Sequence, residues 1–155
     1  MTEADDIEKG LWTGASPDGD ALIRQYELYV RQAEAISARR HGASMAFLAV
    51  SLALVVVAAF FGESLEGAAR AGFFLAAILT QIFWFLIARS YRNLISAKYK
   101  VIGLMEKRLP ASPFWAAEWK VLGEGRDWRR YIPVSLIEHT APLAFAALFA
   151  FLAVA

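Results

Sequence analysis

The chain has 155 residues, of which 58% are apolar and 20% charged, with a formal net charge of +1. Its mean hydropathy is +0.42, high for a soluble domain, so a soluble-enzyme reading is disfavoured from the start. The near-neutral charge gives no footing for a nucleic-acid partner, and the absence of cysteine excludes disulfides and thiolate metal sites.

Residues 1–19 are polar and acidic. They read as a flexible N-terminal arm and not as a secretory leader, which needs a basic start and an apolar core. The segment Ser16-Pro17-Asp18-Gly19-Asp20 supplies N-cap residues and a first-turn proline. From there Leu22, Tyr26, Tyr29, Ala33, Ile36, Arg40 and Ala43 recur at spacings of 4 and 3, a helical seam of heptad type. One helix is therefore predicted from about residue 18 or 20 through Gly62, with residues 20–42 outside the membrane.

Gly42 to Gly62 is 21 residues without a charge, and Ala71 to Ala88 is 18. At about 1.5 Å per residue these runs reach roughly 27–32 Å, the thickness of a bilayer's hydrocarbon core. They predict two transmembrane helices, 43–62 and 71–88, joined as a hairpin. Their deepest polar residues are Thr80 and Gln81. In an oligomer these could line an axial pore; in a packed bundle they would form interhelical hydrogen bonds. Ser51 is expected to bond back to its own helix.

Beyond the second span, residues 89–109 keep the helical rhythm through Tyr91, Leu94, Ile95, Lys98, Val101, Ile102, Met105 and Leu109, until Pro110 and Pro113 end it. The two extensions must bury their stripes against each other or against a neighbouring subunit. Second apolar flanks (Ile23 and Val30; Ile95 and Val101) favour a neighbour. Leu22, Tyr26, Tyr29, Ala33, Ile36, Leu94, Ile102 and Met105 are the candidate oligomer seam.

The segment 111–139 carries Trp115, Trp119, Trp128 and Tyr131 among basic residues. This composition suits a membrane-interface belt or packing on the helical stalk. Thr140 to Ala155 is a third uncharged run of 16 residues, read as a short third span because it has no polar face. Val134, Leu136 and Ile137 could lengthen it.

Fifteen of the 16 Lys and Arg residues lie before the first span or between the second and third; the hairpin loop holds Arg70. Positive charge thus places the N-terminus and 89–139 in the cytoplasm, with the C-terminus outside. No Asp, Glu, Lys or Arg lies inside a predicted span, which argues against coupled transport. No catalytic, metal or cofactor constellation appears. Glu138 and His139 are adjacent and do not converge on one point of a helix, and Gly123-Glu124-Gly125 lacks the spacing of a phosphate loop.

Several stretches match a known pattern. Tyr26-Glu27-Leu28-Tyr29-Val30 and Ile36-Ser37-Ala38-Arg39-Arg40 precede the first span. Arg89-Ser90-Tyr91-Arg92-Asn93-Leu94, Ser96-Ala97-Lys98-Tyr99-Lys100-Val101-Ile102, Glu106-Lys107-Arg108-Leu109-Pro110, Ala117-Glu118-Trp119 and Ile137-Glu138 follow the second. From Tyr26 to Phe145 the chain resembles the RipA-type small bacterial inner-membrane proteins, a family described as octameric. The resemblance implies a ring-like homo-oligomer of the cytoplasmic membrane linked to envelope homeostasis and intracellular growth, and it implies no catalytic residues. A looser likeness is to SLATT-type two-span proteins, thought to form pores in anti-phage systems.

The expected fold is all-α, an integral membrane protein with three transmembrane helices, two of them extended into a cytoplasmic helical hairpin. Residues 20–155 form a single membrane domain. The expected function is that of a non-enzymatic homo-oligomeric scaffold, or alternatively a pore lined by the second span. Its partners are itself, the bilayer and a cytoplasmic protein.

Overall fold

The computed structural model describes residues 3–12, 14, 19–122 and 134–154. Helix α1 is Glu3–Leu11, α2 is Gly19–Phe61 and α3 is Gly67–Glu106. A π-helical turn, Pro113–Glu118, leads into α4, Trp119–Val121, and α5 is Val134–Val154. No strand occurs among the described residues.

Among the described residues three helices are long and apolar enough to cross a membrane: Gly19–Ser64, Gly67–Glu106 and Leu136–Val154. The first two match the continuous helices predicted from the seams. They are joined by a 3₁₀ turn at Gly62–Ser64 and by Gly67, whose φ of +53° lies in the left-handed region that glycine tolerates. The third helix starts earlier than the uncharged run. Residues 134–139, expected to lie in the interfacial segment, form its first turns, so the 19-residue span has a length that 140–155 lacked. Pro142 lies inside α5 and is fully buried; helix-breaking residues are tolerated where neighbouring helices cover the gap.

The chain divides into two compact units. The membrane unit comprises Ala38–Arg92 and Pro133–Ala155. Its core is Phe74, Ala77 and Phe149, packed by Leu54, Val55 and Phe145. Trp84 is buried between Phe47 and Phe145, with ring centroids at 6.1 and 6.4 Å. Arg70 donates to the Leu152 carbonyl at 3.1 Å, fastening the end of α5 to the start of α3. Phe60, Phe61, Leu75, Phe83 and Phe151 point outward, the apolar surface expected of a lipid-facing wall.

The polar unit comprises Met1–Ser37 and Asn93–Ile132. Here the arm expected to be flexible contains helix α1. Lys107 pairs with Glu8 at 3.8 Å, and the Arg108 guanidinium lies 3.6 Å from the Trp12 ring centroid. A cation over an indole face, joined to partial burial of Ile7, Leu11 and Trp12, gives this short helix a surface to fold on.

Candidate functional site

In the polar unit the stripes of α2 and α3 meet within one copy. Leu22, Ala33, Ile102 and Met105 are buried, and Tyr26, Tyr29 and Ile36 are half-buried. Lys98 places its ammonium 4.1 Å from the Tyr29 ring centroid and donates to Gln32 at 3.2 Å. Leu94, assigned to the same seam, remains 47% exposed.

Glu106 ends α3 and is 1% exposed. A carboxylate at a helix C-terminus opposes the helix dipole, and burial without partners would cost several kcal/mol. Four donors compensate. The Tyr26 hydroxyl and the Phe114 N–H donate to Oε1 at 3.0 and 3.1 Å, and the Ser112 hydroxyl and the Trp115 N–H donate to Oε2 at 2.6 and 3.0 Å. The two N–H groups are first-turn donors of the 113–118 helix, which have no partner in their own helix. Ser112 also accepts from the Ala116 N–H at 3.3 Å. One carboxylate thus ties α2, the end of α3 and the start of the following turn. Burial raises its pKa, but the hydrogen bonds from Ser112, Trp115, Phe114 and Tyr26 outweigh this and hold it below the usual value. Burial, then the hydrogen bond and negative charge of Glu106, push the Tyr26 phenol up to about 12.

Beside this lock the turn leans over α3 and leaves a half-open groove of about 470 Å³. Its walls include Tyr99, Lys100 and Gly103 from α3, Trp115 and Glu118 from the turn and Trp119 from α4. Gly103 permits the close approach: a Cβ there would lie 2.9 Å from two carbons of the Trp115 ring. Trp115 and Trp119, predicted for a membrane-interface belt, are 50% and 40% exposed in the groove walls. Trp128 and Tyr131 lie outside the described residues.

In the membrane unit Gln81 is 1% exposed. The Ser51 hydroxyl is 2.7 Å from the Phe47 carbonyl, as its expected back-bond, and 3.1 Å from Gln81 Oε1. This is an interhelical arrangement closed within one copy. Thr80 donates to the Ala76 carbonyl of its own helix at 2.9 Å. Arg40 and Glu138 form an ion pair whose side chains are 15% and 11% exposed. The spacing of 98 residues hides this pair from any local reading.

Sequence reasoning placed Tyr26 on the seam but treated Glu106 only as part of a motif. The available signal was an acidic residue in a last helical turn, four positions before Pro110, where a cation is the favoured neighbour. Among the described residues no group of His, Cys, Asp and Glu could hold a metal ion.

No curated protein and no solved structure matches the chain. The model of the octameric membrane protein family (8xMP) matches residues 23–155, a stretch that includes the membrane unit, the Glu106 lock and the groove, and the chain belongs to that family.

Proposed function

We propose that the protein is a non-enzymatic scaffold of the bacterial cytoplasmic membrane, assembled from eight copies and serving envelope homeostasis. The polar unit lies in the cytoplasm, where basic residues concentrate, and it offers a binding surface to a cytoplasmic protein. The burial of Gln81 against Ser51 carries the preference for a scaffold over a pore. Gln81, the polar side chain buried deepest in the spans, already has its partner within a single copy, which supports this reading.

Electron-microscopy top views of the detergent-solubilised protein, paired with ion flux from reconstituted liposomes, test this. The expectation is an eightfold ring whose vesicles leak no faster than empty ones. A conductance that Gln81→Leu abolishes would replace the scaffold with a pore.

A further inference from the structure

A closed ring of identical subunits joined head to tail needs two different, complementary surfaces on each copy, and a concave one calls for a ridge. A rotation axis along the membrane normal keeps all copies at one depth, so the two surfaces must also lie at the same height. The groove between Tyr99–Gly103 and the 113–119 turn is the concave surface. Its counterpart stands on the side of α2 turned away from α3. Arg24, Leu28, Arg31 and Ala35 follow one another at spacings of 4, 3 and 4, all exposed, with Leu28 at 58%. They form one ridge on a helix of 3.6 residues per turn.

The heights agree. Tyr26 bonds Glu106 and Gln32 bonds Lys98, so in these antiparallel helices Leu28 falls level with the Tyr99–Gly103 turn. The chemistry agrees as well. An exposed leucine flanked by two guanidinium groups is complementary to a groove walled by indole faces and the Glu118 carboxylate, through apolar contact, cation–π attraction and charge pairing. Lys100 on the groove wall is of like sign to the ridge, and Glu27, which stands beside the ridge and pairs with Arg31 at 3.7 Å, carries the opposite charge.

We infer that the groove receives the Arg24–Leu28–Arg31 ridge of a second copy of this chain, and that this contact joins neighbouring subunits. The inference rests on the octameric reading and adds its contact surface.

The native absence of cysteine gives a clean test. The full-length double variant Arg31→Cys/Glu118→Cys is oxidised in membranes and run on a denaturing gel. A ladder of covalent multimers is expected, with each single variant giving no species beyond a dimer. Leu28→Glu, checked for intact helicity by circular dichroism, is expected to lose the octamer at native mass. An unmodified octamer whose double variant gives no ladder, or only an intrachain bridge, overturns the inference but leaves the octameric reading standing; the groove then belongs to lipid or to another protein. An unmodified chain that is not octameric removes the reading and the inference together.

Discussion

Glu106 shows how a single acidic side chain can organise a surface. Its four donors come from Tyr26, Ser112, Phe114 and Trp115. Glu106→Ala strands these donors, and the expected loss is roughly 4 kcal/mol or more, since each stranded buried group costs about 1–3 kcal/mol. Glu106→Gln keeps one acceptor and should fall between. Thermal melting in detergent ranks the three proteins, and equal midpoints would remove the lock. Gly103→Ala pushes a methyl group into Trp115. A cost of about 1–3 kcal/mol is expected from overpacking, together with greater quenching of tryptophan emission by acrylamide as the ring lifts away.

At the scale of elements, the 113–121 segment is held by charge, which makes it sensitive to pH. Glu106 titrates below the ordinary carboxylate value. Its contribution is therefore present above that ordinary value and is lost as pH falls through the depressed one. Tyr26 is raised from 10.0 to about 12, so its contribution is complete below pH 10 and fades as pH climbs towards 12. Protection of the Phe114 and Trp115 amides, as the intrinsic exchange rate divided by the observed one, should be greatest between these limits and fall on both sides, and Glu106→Gln should flatten the acidic limb. Protection factors that do not fall on the acid side in the parent chain would contradict this. In the membrane unit, Arg40→Ala leaves Glu138 largely buried without its partner. A destabilisation of about 3–5 kcal/mol is expected, much of it recovered in Arg40→Ala/Glu138→Gln, as read from melting midpoints.

At the scale of the whole molecule, orientation follows from charge. Ser64→Cys should react with an impermeant maleimide added outside cells, and Lys120→Cys should react only after permeabilisation. The opposite pattern would invert the topology and put the groove outside the cytoplasm.

The three spans, the continuity of α2 and α3, and the family were legible in the chain because hydropathy, helical period and charge are local properties. Twenty apolar residues span a bilayer whatever their partners. What needed the tertiary structure is what depends on residues far apart. Tyr26 and Glu106 are separated by 80 positions and Arg40 and Glu138 by 98. The start of α5, the folding of α1 on Arg108 and the choice of which apolar flank stays exposed have the same origin. A periodic stripe states that a face must be covered; only the packed chain decides that Leu22, Ala33 and Ile102 are covered from within while Leu28 and Leu94 remain open. The reason is that burial is a property of neighbours in space, and the sequence lists neighbours along the chain.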